Sequence, residues 1–274
     1  MHPVLFKLGS VTLYTYGLFV GLGFILALFF AIRNAAEYDL RAQYTNILKS
    51  GRNLKSDIRN QISDLFFVIL VSAIIGARLF YVFLNLSYFA DDPLAVFKIW
   101  NGGLVFYGGF IGALAAGMIY VRRKKLNLWF TADIIAPAIA LGHAVGRIGC
   151  FCAGCCYGKV CDLPWAVTFT NIDSLAPLNV SLHPTQLYSV FSNFFIFLIL
   201  LFIQKRKKFN GMVFWSYIFL YGIFRSFIEI FRGDPRGHFI IEYVSLSQGI
   251  GTGMAFFALF MLFLLYRKKK HGSD

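Results

Sequence analysis

Apolar residues fall along this chain in seven long blocks, near 15–32, 65–84, 103–121, 129–147, 186–204, 211–231 and 244–266. At about 1.5 Å of rise per residue, each block can cross a hydrocarbon layer about 30 Å thick. Within each block the apolar residues run continuously instead of alternating, which predicts helices and argues against a barrel of amphipathic strands. The polar interruptions are unequal. Residues 33–63 form the longest on one side of the predicted membrane, and residues 148–182 the longest on the other. The second carries Pro164, Trp165 and Pro177 and is expected to be a small folded head. In the first, Leu54, Ile58 and Ile62 recur at helical spacing, which fits a short amphipathic surface helix and a solvated connector equally well. The expected architecture is an all-α polytopic membrane protein with seven transmembrane helices and one membrane-embedded domain over residues 1–274.

Composition agrees with the pattern: 58% of residues are hydrophobic, 14% are charged, and the mean hydropathy is +0.66. A net charge of +13 would also suit a nucleic-acid binder, so the placement of the 26 basic residues decides between the two. Arg33, Arg41, Lys49, Arg52, Lys55 and Arg59 follow the first block, and Arg122, Arg123, Lys124 and Lys125 follow the third. Lys205, Arg206, Lys207 and Lys208 follow the fifth, and Arg267, Lys268, Lys269 and Lys270 follow the seventh. These 18 lie on one side, against Lys7, Lys98, Lys159, Arg232 and Arg236 on the other. The positive-inside rule then places the N-terminus outside and the C-terminus in the cytoplasm. The basic charge is a topology signal with an attraction to anionic lipid, and no nucleic-acid partner is expected. Residues 1–14 hold one lysine and no small-residue cleavage site, so the first span is expected to stay uncleaved.

With that topology, Tyr16, Arg78, Tyr107, Arg147, His183, Arg225, Glu229, Ser245 and Gln248 all fall in the outer half of the membrane or at its outer rim. Charge at such depth is costly and marks function. Arg78, Arg147 and Arg225 against the one carboxylate of Glu229 call for an anionic ligand, and guanidinium forks suit phosphate. A phospholipid headgroup is the anion present at that level. Other readings stand beside this one. Tyr14 and Tyr16 also fit an interfacial aromatic belt, and Arg78 could snorkel outward as an anchor. Gly103, Gly108, Gly109 and Gly112 would permit close helix approach, or would let backbone amides reach a phosphate beside Tyr107. Arg225 and Glu229, four apart, share a helix face and can pair.

Five cysteines cluster at the outer edge: Cys150, Cys152, Cys155, Cys156 and Cys161. Zinc sites usually combine two C-x2-C units across a longer interval, and no second cluster exists, so no metal and no cofactor are expected. Spacing leaves a disulfide and free thiols equally open.

Several motifs in order carry a family resemblance: Tyr16-Gly17, Gly76-x-Arg78, the run from Gly102-Gly103 to Gly108-Gly109, Gly146-Arg147-x-Gly149, His183-Pro184-Thr185-Gln186-Leu187-Tyr188, and Arg225-x3-Glu229-x2-Arg232. Together they resemble prolipoprotein diacylglyceryl transferase from the first span to the last. The resemblance implies a multi-pass enzyme of the bacterial inner membrane with its active site toward the outer leaflet and a periplasmic head. It would move the diacylglyceryl group of phosphatidylglycerol to the thiol of the lipobox cysteine of exported prolipoproteins, forming a thioether and releasing glycerol phosphate. Its expected partners are phosphatidylglycerol and the prolipoprotein signal peptide, and a monomer is the simplest state.

Joined to the polar level in the outer half of the membrane, the resemblance assigns catalytic work to Arg147, Arg225, Tyr107 and Glu229. It assigns phosphatidylglycerol binding to Arg147, Tyr16, Arg78, Gly108, Gly109, Gly158, His183, Gln186, Arg232 and Gln248. The chain departs from the commoner pattern at Tyr107, where a histidine is usual, at Cys150 and Cys155, where asparagine and glutamate are usual, and at Ser189, which replaces an acid. Tyrosine, with an ordinary pKa of about 10, is a poor base at neutral pH unless arginines lower it. Tyr107 is nevertheless the expected carrier of the thiol proton. Two other classes compete: a non-catalytic lipid or anion transporter, and a redox or metal-binding membrane protein built on residues 150–161. The absence of obvious inverted repeats counts against the transporter.

Overall fold

The computed structural model describes residues 2–8, 11–50, 58–98, 102–234, 239–241 and 244–271. Arg52, Leu54, Lys55 and Arg236, which entered the sequence reading, lie outside the described residues. Among the described residues the chain forms eight α-helices: α1 (Thr15–Ser50), α2 (Ile58–Leu84), α3 (Leu86–Asp91), α4 (Phe106–Arg123), α5 (Leu128–Ala153), α6 (Thr185–Lys205), α7 (Met212–Glu229) and α8 (Leu246–His271). Three two-stranded antiparallel ribbons accompany them: β1 (Val4–Leu8) with β2 (Val11–Tyr14), β3 (Val167–Thr168) with β4 (Ser181–Leu182), and β5 (Phe239–Ile241) with β6 (Val244–Ser245). There is no barrel among the described residues. A helix stands at each of the seven predicted places, and α1, α2, α5, α6 and α8 contain stretches long and apolar enough to cross a membrane.

Two boundaries differ from the sequence reading. In the excursion 33–63, α1 continues to Ser50, because nothing in the polar stretch up to there breaks a helix, and α2 begins at Ile58, so Ile58 and Ile62 belong to α2. Likewise α5 does not stop at Arg147 but runs through Cys152 to Ala153, and the head starts only at Gly154. That glycine adopts φ +75°, which a side chain would resist, and its amide bonds back to Phe151 O at 3.2 Å.

The chain separates into two compact units, one of Met1–Ala31 with Ala132–Asp274, the other of Ile32–Thr131. In the smaller unit, α2 and α4 touch backbone to backbone. A methyl at Gly76 would lie 2.5 Å from Gly108 O, one at Gly112 2.6 Å from Ser72 O, and one at Gly109 3.1 Å from Ala73 O. Small residues let helices approach so closely where lipid supplies no hydrophobic drive to pack them. In the larger unit the same device joins α1 to α5, where a methyl at Gly23 would lie 2.6 Å from Gly142 O, and α7 to α8, where one at Gly222 would lie 2.5 Å from Gly251 O.

The core of the larger unit is formed by Ala136, Ala140, Ile196, Phe197, Leu200, Val213 and Tyr217 of α5, α6 and α7. At one end of it, fully buried Asp133 accepts hydrogen bonds from the amides of Gly211 (2.7 Å) and Phe214 (2.9 Å) and pairs with Lys207 Nζ at 2.9 Å. A carboxylate from α5 thus caps the N-terminus of α7, where the helix dipole favours negative charge. The head between α5 and α6 has its own small core of Phe169, Ala176 and Leu182.

Candidate functional site

The α5 helix brings Arg147 and His143 to one face, one turn apart, and Arg147 Nε donates to His143 Nε2 at 3.2 Å. Accepting at Nε2, the imidazole orients the guanidinium without adding charge. A helix turn further on, Cys150 meets Cys155 and Cys156 of the following turn, with the three Sγ atoms within 4.8 Å of one another. Hydrogen bonds from the Cys150 and Cys155 thiols pull the Cys156 thiol well below its ordinary range, and the positive charges of Arg232 and Arg147 add to this. Hydrogen bonding to Cys150 and Cys156, with burial, pushes the Cys155 thiol up.

The start of α6 fastens that turn. Thr185 Oγ1 donates to Cys156 O at 2.7 Å, and Gln186 Nε2 donates to Cys155 O at 2.9 Å. Both side chains are only 1% exposed. Beside them, Gly158 pairs with Arg232 in an isolated bridge, and its amide donates to His183 O at 3.1 Å. A side chain at Gly158 would meet His183 Cβ at 2.4 Å, so this glycine is required for backbone packing. His183 Nδ1 lies 3.1 Å from the Tyr188 hydroxyl, which accepts from Trp165 Nε1 at 2.9 Å. These three residues edge an apolar cavity of about 540 Å³ between α6 and α7, walled mainly by Phe191, Phe195, Phe224, Phe227 and Phe231.

From α7 come the remaining charges. Arg225 Nη1 pairs with Glu229 Oε2, the i,i+4 partnership anticipated from spacing. Glu229 also lies 3.6 Å from Arg232 Nε and accepts from Ser245 Oγ at 3.3 Å. Arg232, 8% exposed, is held by both oxygens of Asp234 at 2.9 and 2.8 Å. Arg225 and Arg232 are therefore matched by carboxylates, whereas no carboxylate among the described residues lies within ion-pair reach of Arg147.

Other expected ligand residues take different partners. Gln248 forms a capping box on α8: its Oε1 accepts from Ser245 N at 3.0 Å, and its amide donates to Ser245 Oγ at 3.1 Å. Tyr16 is 46% exposed, and its backbone packs on α5, with Tyr16 O 3.1 Å from where a methyl at Gly149 would stand. In the other unit, Arg78 is 7% exposed and spends its donors on its own loop: Val96 O (2.9 Å), Gly102 O (2.8 Å), Gly103 O (3.1 Å), Ala95 O (2.6 Å) and Lys98 O (3.4 Å). A guanidinium has five N–H groups, so Arg78 is a loop clamp with none left for a phosphate. Gly108 and Gly109 are consumed by the α2 contact. Tyr107 is 69% exposed, with its ring beside that of Phe106.

The model of the family described as prolipoprotein diacylglyceryl transferase matches residues 3–264. The chain belongs to that family. It is 36% identical over 272 residues to the phosphatidylglycerol–prolipoprotein diacylglyceryl transferase of Geobacter sulfurreducens, covering 98% of this chain and 97% of the relative. It is 34% identical to the enzyme of that name from Clostridium tetani, covering 95% and 96%, and 35% identical to that from Photobacterium profundum, covering 97% and 94%.

Within this member of the family, three functional contacts escaped the sequence reading. His143 as the orienting acceptor for Arg147 was accessible from the i,i+4 spacing. Thr185 as the clamp on Cys156, and Asp234 as the bidentate partner of Arg232, depend on backbone turns that residue spacing does not encode.

Proposed function

We infer that this protein is a transferase that moves the diacylglyceryl group of phosphatidylglycerol to a cysteine thiol of a prolipoprotein. Its full-length relatives bear that name. One observation in the fold carries the reading to particular atoms: Arg147, half-buried near the end of α5, is oriented by neutral His143 and left without a carboxylate among the described residues. A guanidinium held this way has unspent N–H donors for the two oxygens of a phosphodiester.

In the reaction, the bond between the lipid's glyceryl carbon and the phosphate oxygen breaks, and its electron pair leaves on that oxygen. The acceptor sulfur, as thiolate, forms the new C–S bond, giving a thioether and glycerol phosphate. Negative charge that gathers on the departing phosphate meets Arg147, with the Arg225–Glu229 pair one helix away in the same unit. Cations fixed in advance at such a position are commonly the largest contribution to catalysis. The aromatic cavity between α6 and α7 suits an acyl chain of the donor.

The 18-residue helices α4 and α7 complete seven crossings with the five long spans. The basic ends at Arg122–Lys125, Lys205–Lys208 and Arg267–Lys270 support an inner-membrane orientation with the C-terminus in the cytoplasm and the site toward the outer leaflet. The acceptor is then the lipobox cysteine of an exported prolipoprotein, and the enzyme works as a monomer.

The test combines purified protein, phosphatidylglycerol and a lipobox peptide, with peptide mass as the readout. A diacylglyceryl mass gain on the peptide cysteine that falls by about 10²–10³ in Arg147→Ala supports the assignment. Intact lipid retained without any transfer would overturn it.

A further inference from the structure

The thiols of Cys150, Cys155 and Cys156 stand apart from ordinary buried cysteines because three different backbone positions aim them at one point. Their Sγ atoms are mutually within 4.8 Å. Three thiolates at about 2.3 Å from a zinc ion would be about 3.8 Å apart, so a small contraction of the existing cluster completes a trigonal face. Cys152, two residues from Cys150 on the same helix, points to another side, and Cys161 belongs to the head, where its amide bonds Ser181 O at 3.1 Å.

The cluster is also supported from behind. Cys156 is held at φ +62°, a left-handed conformation rarely adopted outside glycine, and this allows two consecutive residues to turn their sulfurs the same way. Thr185 and Gln186 hold the carbonyls of Cys156 and Cys155 at 2.7 and 2.9 Å respectively, fixing the backbone from which the two thiols project. Three thiolates around a divalent ion carry one net negative charge, and the guanidinium groups of Arg147 and Arg232 lie within Coulombic reach to offset it.

We propose that Cys150, Cys155 and Cys156 bind a thiophilic divalent cation of the zinc class, and that its open fourth position receives the acceptor cysteine of the protein substrate. The second half rests on the transferase reading above. On loading, the three protein thiols release their protons to solvent. The incoming thiol loses its S–H proton to solvent as its sulfur lone pair binds the metal. That sulfur then forms the C–S bond to the glyceryl carbon while the C–O bond breaks, the electron pair leaving on the phosphate held by Arg147. The thioether formed is neutral and a weak ligand, so it departs. No oxidant or reductant is consumed. Thiolate delivery by the metal also takes over the task expected of Tyr107, which stands exposed with no acidic or basic neighbour described beside it.

The experiment uses the full-length protein purified under reducing conditions in lipid nanodiscs. Metal content is measured after zinc loading, and cobalt(II) is then substituted for its thiolate charge-transfer absorption. Expected are one metal per chain, a cobalt spectrum of tetrahedral thiolate type that changes when a lipobox peptide is added, and loss of both in Cys155→Ala and Cys156→Ala but not in Cys161→Ala. Thermal unfolding of each variant separates lost ligation from lost folding. Substoichiometric metal in folded wild-type protein, or a Cys150–Cys155 or Cys155–Cys156 disulfide recovered in its place, would overturn the site. A metal spectrum blind to the peptide, or full transfer by chelated metal-free enzyme, would overturn the fourth-position role while leaving the transferase reading intact. Absence of transfer in metal-loaded wild type would refute that reading without touching the metal count.

Discussion

At the scale of single residues, the distinction that matters is between Arg225 and Arg232, each paired with a carboxylate, and Arg147, which has none within reach among the described residues. Arg232 is gripped by Asp234 and Arg225 by Glu229, so Asp234→Asn or Glu229→Gln weakens alignment without removing the guanidinium. His143 acts through Arg147. A His143→Phe variant is expected to raise the KM for phosphatidylglycerol by about 10-fold to 100-fold with a smaller effect on kcat, while His143→Gln, which retains an acceptor, recovers much of the loss. Steady-state kinetics with varied lipid would check this, and equal loss in both variants would contradict it. The Arg225–Glu229 pairing was legible in the sequence because it follows from residue type and helical spacing. The backbone contacts of Arg78 and Gln248 were not legible, because a polar side chain near a helix end can serve backbone groups as readily as a ligand. Only the positions of the nearby carbonyls and amides distinguish the two uses.

At the scale of elements, glycine placement determines which helices can touch. A methyl at Gly76 would press on Gly108 O of the facing backbone at 2.5 Å, whereas one at Gly117 would rest in ordinary contact with Ile69 at 3.6 Å. Gly76→Ala is therefore expected to destabilise the α2–α4 pair by about 1–3 kcal/mol and Gly117→Ala to be near neutral, as read from thermal unfolding in one detergent. Asp133 presents a second element-level case, since Lys207 and two α7 amides converge on it. Asp133→Ala removes the buried acceptor of those two amides and should cost about 1–3 kcal/mol, measured in the same assay. The helices themselves were readable from continuous apolar runs, but their ends were less so. The extensions of α1 and α5 follow from the lack of a breaker before Ser50 and Gly154, whereas hydropathy registers only where the lipid-compatible stretch stops.

At the scale of the whole molecule, basic charge at the ends of α4, α6 and α8 predicts that a reporter enzyme active only in the cytoplasm, fused after Asp274, will be active. Activity of an exported-only reporter at that fusion point would invert the topology. The partition into two compact units also bears on how the chain can be divided. Its borders, Ala31 to Ile32 and Thr131 to Ala132, fall inside α1 and α5 and not in loops. Severing a helix there would leave up to four carbonyls on one stump and four amides on the other without intrahelical partners. Complementation by separately expressed fragments should therefore fail for cuts at those borders and succeed for a cut between Arg206 and Gly211, which lies outside any helix. Where evolution could recombine this enzyme, and where an engineer could split it, is thus set by the continuity of two helices, and the spatial units offer no guide.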